Sequence, residues 1–303
     1  LKASEGAQRS ARGAKAQLDP ARRAGHYPPM QHRRSLFVAL SLATLAACSS
    51  GRGTGRSTQG HADFALPDGG AANGPTVDVV YGHSDTVLYT VDPTSYAVQM
   101  VAPFGWPTGS EGEQMTDIAI DQNGNMIGIS FDAVYSINKT TAACNYLAAF
   151  AGDDFNGLSF IAGATIDPGA EVLVGADEDG DVYSIDPMTG AQTQIGSYGN
   201  GLGSSGDLVS VAGATYATVR SEATNDQLVE IDGSTGAVIK TIGDTGVANI
   251  WGLGYWKQKL FGFTESNGLV ILDITNGSST SVAGSDISWY GAGVTTAAPT
   301  TIQ

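Results

Sequence analysis

The stretch DIAIDQNGNMIGIS at residues 117–130, followed by AVYSIN at residues 133–138, decides the fold. Apolar residues alternate with small or polar ones on both sides of Asn123-Gly124, which marks two short strands joined by a tight turn. A third strand follows after Phe131-Asp132, and a fourth, near residues 144–149, after Lys139-Thr140-Thr141. The unit is therefore four strands long, with strands near 116–121, 125–130, 133–138 and 144–149. No segment beyond the N-terminal region shows the 3.6-residue period of an amphipathic helix.

The third strand recurs along the chain. Leu88-Tyr89-Thr90-Val91-Asp92 matches Val134-Tyr135-Ser136-Ile137-Asn138, then Val182-Tyr183-Ser184-Ile185-Asp186 and Leu228-Val229-Glu230-Ile231-Asp232. A fainter copy is Leu269-Val270-Ile271-Leu272-Asp273. A second mark keeps the same phase upstream, at Tyr81-Gly82, Ile127-Gly128, Val174-Gly175, Tyr216-Ala217 and Phe261-Gly262. Four-stranded units repeating every 40–50 residues or so predict β-propeller blades. The first unit opens at its second strand, and the segment Trp289-Tyr290-Gly291-Ala292-Gly293-Val294 reads as the inner strand it lacks. The prediction is an all-β, five-bladed β-propeller over residues 76–296, closed by a C-terminal strand that completes the first blade, with a short tail at 297–303. The rhythm of residues 117–130 resembles the NHL/YVTN group of bacterial propeller repeats. That resemblance implies a fold and leaves function open, because propellers host many activities.

Composition agrees with this architecture. Glycine supplies 41 of 303 residues, about twice the usual ~7%, and charged residues only 15%. Such a chain is rich in tight turns and poor in helix. The net charge of −15 excludes nucleic acid as a partner, since phosphate neutralisation needs clustered Lys and Arg. The two cysteines, Cys48 and Cys144, are too few for a disulfide framework or a cysteine-based zinc module.

The charge is uneven. Residues 1–47 hold eight of the fifteen basic residues and two of the thirty acids, leaving a remainder with a net charge of −21. Met30-Gln31-His32-Arg33-Arg34 forms a basic start, and LFVALSLATLAA at 36–47 is an apolar run too short to span a bilayer as a helix. It has the length of a signal-peptide core. The ending Leu45-Ala46-Ala47-Cys48 resembles the lipobox of bacterial lipoproteins. The resemblance implies cleavage before Cys48, acylation of its sulfur, and membrane anchoring through the acyl chains. Ser49 at the second mature position implies sorting to the outer membrane by the same resemblance. The reading is thus an over-extended N-terminus at 1–29, a lipoprotein signal peptide at 30–47 and a flexible Gly/Ser/Ala-rich tether at 48–75. The expected location is the cell envelope.

Chemistry-bearing residues are sparse. Only His61 and His83 remain beyond the leader, so a multi-histidine metal site is excluded. The run GLGSSG at 201–206 matches G-x-G-x-x-G, but a strand rather than a helix follows, so it reads as an inter-blade loop. Asp177, Asp179 and Asp181, with Glu178 between, are the sharpest acidic cluster and a candidate site for Ca²⁺, the one cofactor the sequence suggests. They also occupy a hairpin turn, where Asp and Gly are favoured for local reasons. A candidate ligand-binding set is placed at the mouth of the axial funnel: Trp106, Glu113, Asp117, Asn156, Asp207, Trp251, Trp289 and Tyr290. Acids beside aromatics at such a mouth suit sugars or cationic groups, while the aromatics equally serve as wedges between blades.

Two functions compete. One is a lipid-anchored binding module for a protein, a glycan or another envelope component, with a scaffold subunit of an envelope assembly as its weaker variant. The other is an enzyme on the same scaffold, a Ca²⁺-dependent lactonase-like hydrolase or a glycosidase. Lactonase-like propellers place Glu, Asn and Asp around one Ca²⁺, which by resemblance points to Glu113, Asn156 and Asp207.

Overall fold

The computed structural model describes residues 79–152, 155–162, 170–220, 224–266, 268–283 and 286–301. The leader, the lipobox cysteine and the tether lie outside the described residues. So do Asp153, Asp154 and Glu222.

The strands assemble into five four-stranded antiparallel sheets. Blade 2 is β4 (Asp117–Ile120), β5 (Met126–Ile129), β6 (Ala133–Ile137) and β7 (Cys144–Ala149). Blade 3 is β8 (Phe155–Ala162), β9 (Glu171–Asp177), β10 (Asp181–Ile185) and β11 (Gln192–Ser197). Blade 4 is β12 (Gly203–Val211), β13 (Ala214–Arg220), β14 (Gln227–Ile231) and β15 (Val238–Asp244). Blade 5 is β16 (Ile250–Trp256), β17 (Lys259–Thr264), β18 (Gly268–Leu272) and β19 (Ser279–Ala283). Blade 1 is composite: β1 (Val80–His83), β2 (Val87–Val91) and β3 (Val98–Pro103) receive β20 (Gly291–Gly293) as inner strand. Tyr81 pairs with Gly293 and His83 with Gly291, so the C-terminal strand closes the first blade as its sequence predicts.

The repeated Asp/Asn ends the third strand of each blade and builds the turn that follows. In all five copies its Oδ1 accepts the N–H two residues on: Thr94 on Asp92, Thr140 on Asn138, Met188 on Asp186, Ser234 on Asp232 and Thr275 on Asp273. Its carbonyl accepts the N–H four residues on, which forces that fourth residue to positive φ. Gly190, Gly236 and Gly277 adopt this at no steric cost, whereas Tyr96 and Ala142 adopt it as non-glycine residues. N–H bonds from Ser95 and Thr94 hold the Asp92 carboxyl below its ordinary range, and the hydroxyls of Ser234 and Thr275, then the N–H groups, do the same for Asp232 and Asp273.

Each of these turns leans on the preceding blade, four of them on or beside its outer strand. Gly105 exchanges backbone hydrogen bonds with Ala142 and Cys144, and Gly190, Thr235 and Asn276 lie against Ala149, Gly196 and Gly243. At the join between blades 5 and 1 the contact is made by side chains. Tyr96 packs edge-on against Phe261, and the Lys259 ammonium lies 4.7 Å above the Tyr96 ring centroid. The apolar layers follow the same plan, with clusters filling the spaces between successive blades.

Every outer strand carries an extra residue at the same place, and β15 a second one opposite Glu230/Ile231. The register slips at Leu88/Tyr89, Val134/Tyr135, Val182/Tyr183, Leu228/Val229 and Leu269/Val270. Such bulges sharpen the twist and turn the free edge away from pairing with another chain.

The chain beyond β20 stays packed past residue 296. Thr295 bridges to Ile120 and donates its hydroxyl to the Asp121 carbonyl, Thr296 hydrogen-bonds Glu171, and the Pro299 carbonyl accepts the Lys257 N–H. This segment crosses the face opposite the mouth.

Candidate functional site

The five inner strands β4, β8, β12, β16 and β20 stand side by side around the axis. At one level each contributes a glycine or an aspartate: Asp117, Gly157, Gly206 with Asp207, Gly252 and Gly291. The glycines permit backbones to meet. A Cβ on Gly157 would lie 2.7 Å from the Gly206 carbonyl oxygen, and one on Gly252 would lie 2.6 Å from the Gly291 carbonyl carbon. The funnel expected from the sequence is therefore closed at this level.

That closure changes the reading of several candidates. Asp117 and Asp207 are fully buried and line no open funnel. Asp207 is held by three strands. Its Oδ1 accepts the N–H of Leu208 at 2.6 Å and of Leu158 at 3.4 Å, and its Oδ2 that of Leu253 at 2.7 Å. Asp117 Oδ1 accepts the Ile118 N–H at 2.8 Å, and its carboxyl lies near enough to that of Asp207 for the two charges to repel. His83, also fully buried, places Nε2 3.7 Å from Asp117 Oδ1 while its Nδ1 lies 2.8 Å from the Ser84 carbonyl. The Nδ1–H tautomer is thereby selected. Burial drives the His83 pKa down to about 4 and the carboxyls of Asp117 and Asp207 well up. Sequence reasoning missed this grouping and the part of His83 in it. The available signal was an aspartate standing twice where the other inner strands carry glycine.

Trp289 is likewise buried completely. It meets Phe263 and Tyr89 edge-on at 5.0 and 5.3 Å and wedges blade 5 against blade 1. Trp106 packs between Phe104 and Tyr135. Glu113 is engaged by the Ser130 hydroxyl, and Asn156 Nδ2 donates to the Ser204 carbonyl. Glu113, Asn156 and Asp207, the set implied by the lactonase resemblance, thus each have separate partners.

Asp177, Asp179 and Asp181 form a hairpin turn. Asp177 Oδ1 accepts the Asp181 N–H at 2.9 Å, Gly180 takes φ 84°, and Glu178 pairs with Arg220 at 3.3 Å. Among the described residues no group of three or more His, Cys, Asp or Glu side chains is arranged to hold a metal ion. The GLGSSG run enters β12 at Gly203 and crosses a bulge between Ser204 and Leu208, so it is inner strand rather than wholly inter-blade loop. Cys144 is buried and free, and burial pushes its thiol up to about 12.

What stays open is the rim above the closed axis. Trp251 precedes Gly252 and Tyr290 precedes Gly291, and their rings meet edge-on at 5.4 Å. Burial, then the charges of Asp85 and Glu265, raises the Tyr290 phenol above its ordinary range. Gln114 donates to Asp85 at 3.1 Å and Asn249 to Glu265 at 2.6 Å, which orients both carboxylates. The cations of the described residues lie mostly elsewhere. Lys139, Lys257 and Lys259 are at the opposite face and Lys240 is on an outer strand, leaving Arg220, which is paired with Glu178. The entrance face therefore presents two aromatic rings between carboxylates in a negative field.

No protein-family model matches the chain, and no curated protein matches it. Among solved structures, the computationally designed Ika8 protein aligns at 13% identity over 72% of this chain and 63% of its own, with a TM-score of 0.36. The chain thus spans less than two thirds of that protein. A chain of a nidogen/laminin complex aligns at 8% identity over 74% of this chain and 99% of its own, TM-score 0.47. A protein of unknown function from Bacteroides thetaiotaomicron aligns at 13% identity over 73% and 66%, TM-score 0.42. Likenesses this remote carry no argument about activity.

Proposed function

We propose that this chain is a lipid-anchored envelope propeller that acts as a binding module, taking a cation-bearing group of a protein, glycan or other envelope component on its entrance face. The observation that carries the reading is the Trp251–Tyr290 pair set between Asp85 and Glu265. An ammonium or guanidinium held over an aromatic face gains about 0.5–2 kcal/mol, more as the site is desolvated. Oriented carboxylates add long-range attraction that weakens with salt.

Trp251 and Trp106 are partly exposed, whereas Trp256 and Trp289 are buried, so ligand at the mouth is read by tryptophan fluorescence. A lysine-rich peptide is expected to perturb the emission at low salt, and Trp251→Ala to weaken its binding at least tenfold. A neutral oligosaccharide that binds instead would shift the reading to a glycan site. Binding of neither, or binding untouched by Trp251→Ala, would remove the mouth as the site.

The anchor rests on the lipobox at Leu45-Ala46-Ala47-Cys48. Labelled palmitate is expected to enter the wild-type chain in a bacterial host and to be lost in Cys48→Ala. Equal labelling of both would overturn the anchor and leave the mouth untouched.

A further inference from the structure

The two axial carboxyls join the whole ring. Asp207 of β12 takes N–H groups from β8 and β16 as well as its own strand. Asp117 of β4 reaches it from the fourth side and abuts the composite blade, since a Cβ on Gly291 of β20 would collide with Asp117 Oδ1 and with His83 Nε2. All five blades thus converge on two side chains. Their polar atoms do not balance with both carboxyls ionised, because Asp117 Oδ2 and His83 Nε2 are buried acceptors that receive no hydrogen bond. Two neighbouring buried carboxylates repel strongly, and one proton shared between them removes the repulsion and turns Asp117 Oδ2 from an unpartnered acceptor into a donor.

We propose that Asp117 and Asp207 form a one-proton binding site at the hub of the ring, and that closure of the propeller depends on that proton. Asp207 is the ionised member, because three backbone N–H groups already favour its charge. Asp117 carries the proton and donates it to Asp207. His83 is neutral, protonated at Nδ1. Among the described residues the other groups facing the hub bring no cation. Leu158 and Leu253 offer only backbone N–H groups, β20 offers Gly291, the Tyr198 phenol is buried, and Asp85 beyond His83 is acidic.

The sign of the pH dependence follows. Asp117 holds its proton more tightly folded than unfolded, so its contribution is complete below its unfolded pKa and is lost as pH rises from there through the folded value. His83 does the reverse, its pKa of about 4 lying below the unfolded value, so it adds stability as pH rises from 4 to about 6.5. The two oppose one another up to about pH 6.5, and above it only the carboxyl pair remains. Glu171, Asp177 and Asp226 are also shifted upward by burial, so the pair is read as a difference between variants.

The test is urea unfolding of the full chain from pH 6.5 to 8, for wild type and Asp117→Asn. The amide supplies a permanent N–H to Asp207. The wild-type unfolding constant is expected to rise by up to about tenfold per pH unit, the slope for one proton, and Asp117→Asn to lose that rise. Parallel slopes in the two proteins would overturn the proposal. Where Asp117→Asn fails to fold, infrared spectra of the ¹³C-aspartate-labelled wild-type chain decide. A protonated, isotope-shifted carboxyl band at pH 7 supports the site, and its absence overturns it.

Discussion

Trp289→Ala is expected to lower the unfolding free energy by about 3–5 kcal/mol, the range for deleting a buried tryptophan. The residue has no solvent exposure and fills the space between Phe263 and Tyr89, where blade 5 meets the composite blade. In thermal melts the loss corresponds to roughly 6–20 °C, taking 2–4 °C per kcal/mol for a domain of this size. Ending the chain after Asp286 goes further. It removes Trp289 together with β20, strips β1 of its inner partner and exposes an unpaired edge at the centre of the molecule. That chain is expected to be poorly soluble. A change below 1 kcal/mol for Trp289→Ala, or a soluble, cooperatively melting truncation, would show that closure does not hold the ring.

The second large effect comes from adding one carbon. Gly206→Ala places a Cβ 2.6 Å from Trp251 Cα and against the Ile250 carbonyl, so β12 and β16 must part. Backbone cannot rotate away as a side chain does. The expected loss is at or above the usual ~1–3 kcal/mol for overpacking. Gly213→Ala serves as the control. Its Cβ meets nothing within 4 Å, and its φ of 84° costs only about 1–2 kcal/mol through the left-handed backbone. Equal melting temperatures for the two variants would mean that the inner strands tolerate spreading, contrary to the closed axis.

Most of the fold is written locally and so was legible. Asp92, Asn138, Asp186, Asp232 and Asp273 build their turns with atoms two to four residues away, so a repeat in sequence is a repeat in structure. The closing strand was legible because Trp289–Val294 aligns with the other inner strands. The hub was not. Asp117 and Asp207 were singled out, but as members of an open mouth, and nothing local records that glycines at 157, 206, 252 and 291 draw the backbones together and bury both acids. Whether an aspartate at the axis faces water or another carboxyl is decided by four other strands. Trp251 and Trp289 illustrate the same limit. Both lie near an inner strand, yet one stands at the rim and the other is sealed between blades.

The contact of each turn with the blade before it makes the molecule a closed one-dimensional lattice of five units and five joints. Four joints link units adjacent along the chain, and their loop-closure entropy is small. The fifth unites Tyr81 and His83 with Gly293 and Gly291, from opposite ends of the described chain, so it carries by far the largest loop. An open row of blades with nearly all of its local contacts can therefore precede the ring. Of the five joints this one therefore carries the largest entropic cost of closure, and conversion of row into ring is expected to be the last step of folding.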